Sequence, residues 1–318
     1  MPRPAGFSWP WGEVLALLDG AAPGARVLNL ETSVTRCGDF SPGKAIHYRM
    51  NPPNVPCLSA ARPDVCVLAN NHVLDFGPRG LEETLDTLAD AGLRTAGAGR
   101  DEQEARRPAV VPVGAGGRVL VFSFGMPSSG IPRGWAATDV RPGVDLVAEA
   151  TDAAAAAVAG RVRRAKQQGG RSRRFGPLGG RTGATTSPAT RSVSRTPWST
   201  AASTSSTGTP RTTPRPIEVY RGKLVLYGCG DFIDDYEGIT GYEQYRDDLR
   251  LAYFASADPD TGALTDLRMA PLQARRLRLE RAAHQDAEWL GRVLGRIGGR
   301  FGTRCDTGPD GELVLRWA

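Results

Sequence analysis

Short aliphatic runs alternate with amphipathic stretches over residues 25–124. Four of these runs are typical of buried strands: residues 27–30, 65–68, a segment near 94–96, and 119–124. Between the second and third runs, residues 80–92 place Leu81, Leu85 and Leu88 on one helical face and end at a glycine. The pattern therefore predicts a β-α-β unit within an α/β domain.

The rest of the chain changes character twice. Residues 148–166 are rich in alanine and end in a basic cluster, which predicts a helix. Residues 167–213 contain mainly Gly, Ser, Thr, Arg and Pro, and we predict that they are disordered because they cannot bury enough apolar surface. Order resumes in five predicted elements: a hairpin over 217–220 and 224–227, strands over 251–254 and 264–269, a helix over 286–297 and a strand over 313–316.

These shifts in composition divide the chain into five predicted parts. They are an N-terminal remnant, the first part of the α/β domain, a low-complexity insert, the second part of the domain, and a C-terminal helix and strand. Their bounds are 1–24, 25–166, 167–213, 214–272 and 273–318.

The net charge of +6 comes from the segment between Arg161 and Arg215, which contains the insert. Twelve of the 40 lysines and arginines lie between Arg161 and Arg215, where no Asp or Glu occurs, so 28 bases face 34 acids elsewhere. A basic arm that binds nucleic acid is one hypothesis for this segment, but no aromatic spacing or RNA-binding signature accompanies the arginines. We therefore expect no nucleic-acid partner.

Cysteine usage and the N-terminus bear on location. The five cysteines are odd in number and lack CxxC spacing, which favours a reducing compartment. Residues 1–10 lack the charged start and apolar core of a secretory signal, and no apolar run is long enough to span a bilayer. The sequence thus predicts a cytoplasmic protein without a membrane span.

Polar side chains follow two of the predicted strands directly. Glu31 comes after the first, and Asn70, Asn71, His72 and Asp75 come after the second. Side chains at such strand ends commonly serve function in α/β sheets, and a carboxylate with an Asn-His pair suits a hard divalent metal beside a proton donor. The alternatives are a loop-capping role for Glu31 and an ordinary turn with a hydrogen-bonded imidazole for His72.

Three motifs in order resemble the CapA family of poly-gamma-glutamate capsule biosynthesis proteins. They are Asn-Leu-Glu-Thr at 29–32, Ala-Asn-Asn-His-Val-Leu-Asp-Phe-Gly at 69–77 and Thr-Ala-Gly-Ala-Gly at 95–99. The similarity resumes at 217–239, including Gly-Asp-Phe at 230–232. The resemblance implies an α/β fold of the calcineurin-like metallophosphoesterase type, a sandwich of mixed β-sheets flanked by helices.

The same resemblance implies roles for particular residues. Glu31 and Asn71 would bind metal, and His72 would be the proton donor or contact phosphate. Asn70, Asp75 and Asp231 would lie near those ligands. The implied cofactor is a divalent ion, Mn, Fe, Zn or Mg, and the implied substrate is a phosphoester or a poly-gamma-glutamate-type polymer.

The chain departs from the family pattern in its metal ligands. It lacks the first strand ending in Gly-Asp and the later His-Trp-Gly and Gly-His-x-x-His elements, and its three histidines are His47, His72 and His284. It looks truncated at its N-terminus, so export stays open.

Residues 196–213 look like GC-rich DNA translated in the wrong frame. Written as GC-rich codons and shifted by one base, they give His-Ala-Leu-Val-Asp-Gly-Gly-Val-Asp-Val-Val-His-Gly-His-Ser-Ser-His-His. That peptide contains a strand followed by a histidine-rich loop. We therefore interpret the insert as a frameshift product and predict an impaired metal-dependent hydrolase. The alternative from another class is a non-catalytic binding or scaffold protein that retains the fold.

Overall fold

The computed structural model describes residues 5–114, 116–168, 201–202, 214–234 and 246–318. In these ranges the helices are α1 Val14–Ala21, α2 Pro56–Ala60, α3 Gly77–Asp90, α4 Glu102–Arg106, α5 Asp152–Gln167 and α6 His284–Gly298. The first nine strands are β1 Val27–Asn29, β2 Ser33–Val34, β3 Arg49–Met50, β4 Val65–Val67, β5 Arg94–Ala96, β6 Ala98–Gly99, β7 Ala109–Val113, β8 Gly117–Val121 and β9 Gly143–Val144. The others are β10 Ala201–Ala202, β11 Ile217–Tyr220, β12 Lys223–Leu226, β13 Leu249–Ala257, β14 Leu264–Arg275, β15 Arg278–Arg281, β16 Thr303–Thr307 and β17 Leu313–Trp317.

A parallel three-stranded sheet forms the centre of the N-terminal half. Its order is β1-β4-β5. Helix α3 covers one face of this sheet, and Leu81, Leu85 and Leu88 point into the core with almost no exposed surface, as their spacing predicts. The predicted β-α-β unit is therefore confirmed.

The opposite face of that sheet carries an antiparallel hairpin. Strand β7 pairs with β8, and Val111 and Val121 pack against Val65 and Ala96 of the parallel sheet. The strand predicted over 119–124 is thus present as β8, but β8 begins at Gly117, ends at Val121 and belongs to a different sheet from β1 and β4. Two strand layers with a helix outside them make a mixed α/β sandwich, as predicted.

The C-terminal half is built on a long antiparallel sheet. Its order is β13-β14-β17-β16, with β15 also pairing with β14. Helix α6 buries Leu290 and Leu294 in the same core as Leu267 and Met269, which are fully buried. The predicted strand pair, helix and final strand are all confirmed, and β13 and β14 extend beyond their predicted ends.

The N-terminal residues pack between the two halves. Trp11 is buried, and its indole Nε1 donates a hydrogen bond of 2.7 Å to the carbonyl of Cys57. The Glu13 amide donates to the carbonyl of Leu279 at 3.0 Å, and Val14 packs with Leu272. The first of the five predicted parts therefore contributes to the core, while the boundaries between the parts stay predictions.

The predicted insert lies almost wholly outside the described residues. Helix α5 ends at Gln167, and of the following 46 residues only Gln168 and the pair Ala201 and Ala202 are described. That pair forms β10, which lies parallel to Val225 and Leu226 of β12. In the part of the chain that the structure describes, no helix combines the length and apolar character needed to cross a bilayer.

A buried carboxylate ties α5 to the strands. Asp145 has 5% of its side chain exposed, and its Oδ2 accepts a hydrogen bond of 2.6 Å from Arg161 in α5. Its backbone bridges two glycines, because its amide donates to Gly97 and its carbonyl accepts from Gly125, both at 2.9 Å. Burial raises the pKa of the Asp145 carboxyl in spite of Arg161 and the more distant Arg106.

This raised pKa fixes the sign of a pH effect. The folded state holds the Asp145 proton more tightly than the unfolded chain, whose Asp pKa is about 3.9, so the associated stability is present below that pH and is lost as the pH rises through the folded pKa. We expect Asp145→Asn, which cannot titrate, to gain stability relative to the parent protein over that rise. Urea unfolding at a series of pH values measures the difference, and Asp90→Asn, at an exposed position, is the control. An equal pH dependence in all three proteins would contradict the expectation.

Candidate active site

Two parallel strands bring the predicted residues to one edge of the sheet. Strands β1 and β4 are neighbours, and the pairing continues past them through a hydrogen bond of 3.1 Å from the Leu30 amide to the Val67 carbonyl. Glu31 follows β1, and Asn70, Asn71 and His72 follow β4. The structure therefore places all four at the carboxyl edge of the sheet, as their positions predict.

A chain of amide hydrogen bonds links the two strand ends. Asn29 Nδ2 donates to Glu31 Oε2 at 3.1 Å, while Asn29 Oδ1 accepts from Asn70 Nδ2, also at 3.1 Å. Asn70 is buried, and its Nδ2 also donates to the Leu30 carbonyl at 2.9 Å. Because these bonds orient the Glu31 carboxylate from β1 and β4 together, Asn29 is a site residue that the motif contained but the sequence analysis did not assign.

Asn70 also shapes the turn that carries His72. Its Oδ1 accepts hydrogen bonds from the amides of His72 and Val73, each at 3.0 Å. On the other side, the buried Ser33 hydroxyl lies 3.0 Å from the carbonyl oxygens of the same two residues. The side chains of Asn70 and Ser33 thereby fix the backbone around His72, while the predicted place of Asn70 beside metal ligands stays a prediction.

His72 and Asp75 form a buried pair. His72 Nδ1 lies 2.7 Å from Asp75 Oδ2, and their side chains are 5% and 0% exposed. An ionised carboxylate is an acceptor only, so Nδ1 carries the hydrogen of this bond and Nε2 is the ring nitrogen that does not contact Asp75. The Tyr48 ring packs on the imidazole with centroids 4.2 Å apart, which fixes the ring plane.

The Asp75 carboxylate is saturated with donors. Besides His72, the Tyr48 amide donates to Oδ2 at 2.7 Å and the Lys44 ammonium donates to Oδ1. Burial alone would raise the pKa of the Asp75 carboxyl, but the hydrogen bonds from His72, Lys44 and Tyr48 outweigh it and hold that pKa below its usual value. Asp75 is therefore an anion that orients His72. The resemblance implied only that Asp75 lies near the metal ligands.

Lys44 is the residue of this cluster that the sequence analysis missed. It lies in the segment between β2 and β3, and its Nζ donates to the Asn71 carbonyl and to Asp75 and lies 3.3 Å from His72 Nδ1. The Trp135 ring covers the ammonium, with 5.2 Å from Nζ to the ring centroid. The cluster thus contains one cation and one anion beside the imidazole.

The described residues do not fit a two-metal centre. Nowhere in the described ranges do three or more His, Cys, Asp or Glu side chains converge as a metal site requires. Asp75 is occupied by Lys44, and the partly exposed Glu31 and Asn71 would supply one carboxylate and one amide, whereas two ions need several shared ligands. The assignment of Glu31 and Asn71 as metal ligands stays a prediction.

Asp231 follows neither β1 nor β4 but lies in the irregular segment after β12. It is half-buried beside Phe232, whose ring centroid is 6.2 Å from that of Trp11. That position joins the segment to the packed N-terminus. A role of Asp231 near the metal ligands remains a prediction.

Fold and site together define an α/β protein of the metallophosphoesterase-like class, with a polar strand edge at one end of a mixed sandwich. Residues 1–236 match the family of bacterial capsule synthesis proteins called PGA_cap. The chain belongs to this family, also called CapA, as its motifs predict. Two relatives from different strains of Mycobacterium tuberculosis are each 46% identical over 316 residues, covering 99% of this chain and 83% of theirs. Both are named probable polyglutamine synthesis accessory protein.

Proposed function

We propose that this protein assists the synthesis or turnover of a polyglutamate-type polymer, with its reaction centre at the strand edge that carries His72. The observation that carries the proposal is the buried hydrogen bond of 2.7 Å between His72 Nδ1 and Asp75 Oδ2. Support for the polymer comes from the names of the two relatives. The substrate class is a phosphoester or the polymer itself.

His72 has the geometry of an acid-base group. Asp75 holds the imidazole in one tautomer, and Tyr48 holds its plane, so that Nε2 delivers a proton to a leaving group or accepts one from an attacking water. General acid-base catalysis of this kind contributes roughly 10²–10⁴-fold to a rate. Glu31 lies at the same edge, where its oriented carboxylate would face a cation or a water molecule.

A divalent metal would supply Lewis-acid activation, but the described ligands are too few to hold a pair of ions. We therefore expect little Mn²⁺-dependent hydrolysis of bis(p-nitrophenyl) phosphate by the purified protein and no change on chelation. Robust turnover that chelation abolishes would overturn this expectation.

A variant in which the reading frame of the insert is restored tests whether the missing metal ligands account for the low activity. In the restored chain, residues 196–213 are replaced by the eighteen-residue peptide recovered from the neighbouring frame, which brings five histidines. We expect this chain to bind Mn²⁺ in a calorimetric titration and to gain turnover. His72→Asn in the restored chain should keep Mn²⁺ binding and lose most of the turnover, because it removes only the proton donor.

A scaffold function is the second candidate. The ion pair between Lys44 and Asp75 favours it, because a carboxylate that is neutralised by a lysine is not free to bind a catalytic metal. If neither the chain nor its restored form binds Mn²⁺, hydrolyses phosphoester or cleaves polyglutamate, the scaffold function is favoured, and binding of polyglutamate without turnover is then the property to measure. The predictions of a cytoplasmic location and of no nucleic-acid partner are independent of that outcome.

A further inference from the structure

Two oxygen atoms of the kind that bind metals converge on the Lys44 ammonium. They are a carboxylate oxygen of Asp75 and the carbonyl oxygen of Asn71, and the His72 ring lies beside them with Nδ1 at 3.3 Å from Nζ. Carboxylate and carbonyl oxygens are the ligands that hard divalent ions prefer. The geometry points to a cation position at the strand edge that this chain fills with its own lysine in place of a divalent metal.

The side chains around Lys44 hold its ammonium in a largely buried position. Its side chain is 17% exposed, that of Asp75 is 0% exposed, and Trp135 covers the ammonium through a cation-π contact. A divalent ion on the same oxygens would meet a like charge at close range in a poorly solvated place. Lysine and metal therefore exclude each other at this position.

The backbone on both sides of Lys44 is tied to the residue that it neutralises. The Ser41 amide donates to the Asp75 carbonyl at 2.7 Å, and the Tyr48 amide donates to the Asp75 carboxylate at the same distance. These two bonds fix the segment that carries the lysine, three residues before it and four residues after it. The ammonium is held at the site by this segment rather than by its side chain alone.

Replacement of the lysine tests the inference through binding and does not depend on any reaction. Lys44→Met keeps a long apolar side chain but removes the cation, and Lys44→Arg keeps the charge as a matched control. We expect Lys44→Met to bind Tb³⁺ with luminescence sensitised by Trp135, and to bind Mn²⁺ about tenfold or more tighter than the parent protein and Lys44→Arg. Mn²⁺ should also raise the Tm of Lys44→Met selectively.

The gain must depend on the same carboxylate. Adding Asp75→Asn to Lys44→Met should remove the extra affinity, and a gain that survives in this double variant would overturn the inference. A folded Lys44→Met protein, checked by circular dichroism, that binds Mn²⁺ no better than the parent would overturn it as well.

A measurement on the unaltered protein keeps the inference testable if Lys44→Met does not fold. The chain has three lysines, Lys44, Lys166 and Lys223, so the side-chain ε-carbon NMR signals of lysine labelled with ¹³C can be resolved and assigned. We expect the Lys44 signal to keep its chemical shift on addition of diamagnetic Mg²⁺ at millimolar concentration. A selective shift of the Lys44 signal would show that a metal enters beside an ammonium that should exclude it, and would overturn the inference.

Discussion

Replacing Asp75 with asparagine is expected to lower the free energy of unfolding by about 3–5 kcal/mol. The carboxylate is fully buried and receives hydrogen bonds from Lys44, His72 and the Tyr48 amide. An asparagine cannot neutralise the ammonium, so a buried cation loses its partner and the imidazole loses its anchor. Urea unfolding followed by circular dichroism measures the loss.

Two controls separate the buried pair from charge effects in general. Adding Lys44→Met to Asp75→Asn removes both charges, and we expect it to restore much of the lost stability because no ion is then left unpaired. Asp19→Asn is the surface control, since Asp19 is 56% exposed and its ion pairs with Arg26 and Arg62 lie near solvent. It should cost about 1 kcal/mol or less. Equal losses for Asp75→Asn and Asp19→Asn would contradict the burial argument.

The elements that could be predicted are those in which local pattern and burial agree. Helix α3 carries Leu81, Leu85 and Leu88 at helical spacing, and all three are buried as that spacing requires. Strands β1 and β4 are short aliphatic runs between polar turns, and both were identified within one residue of their ends. Position at a strand end was likewise enough to bring Glu31 and His72 to one edge.

Proline lies in two strands that the pattern predicted only in part or not at all. Strand β14 runs to Arg275, although Pro271 inside it predicts a break, because Ala270 and Leu272 on either side are deeply buried between β13 and neighbouring strands. Strand β7 contains Pro112 and was not predicted, yet it alternates buried and exposed positions as half of a hairpin. Tertiary packing overrides the local signal in both cases.

The remaining site residues could not be predicted because their partners are distant in sequence. Lys44 lies 31 residues before Asp75, in an irregular segment without periodicity, and no spacing rule connects an ammonium to a strand-end carboxylate. Asp145 meets Arg161 across 16 residues through a strand and a helix that must first pack. Both ion pairs form because their carboxylates are buried, and a single sequence does not show which carboxylates will be buried.

Gly97 lies behind the site, at a place where the chain has no room for a side chain. Its φ of +95° belongs to the region that favours glycine, and an added Cβ would lie 2.6 Å from the Ser123 hydroxyl oxygen and 2.8 Å from the Cβ of Ala69. Ala69 immediately precedes Asn70, whose side chain orients the turn that carries His72. A displacement of Ala69 is therefore expected to move Asn70, and with it the turn that carries the His72 imidazole.

We expect Gly97→Ala to cost about 2–5 kcal/mol, from backbone strain together with overpacking, and to shift the His72 imidazole signal among the three histidine signals in an NMR spectrum. Gly92→Ala is the matched control, because Gly92 also has a positive φ, +72°, but nothing lies within 4 Å of the added Cβ. That control should cost only the strain, about 1–2 kcal/mol, and leave the His72 signal in place. Equal costs and unchanged spectra in both variants would mean that the contact with Ala69 does not position the site, and that Asn70, Ser33, Asp75 and the Tyr48 ring orient His72 without it.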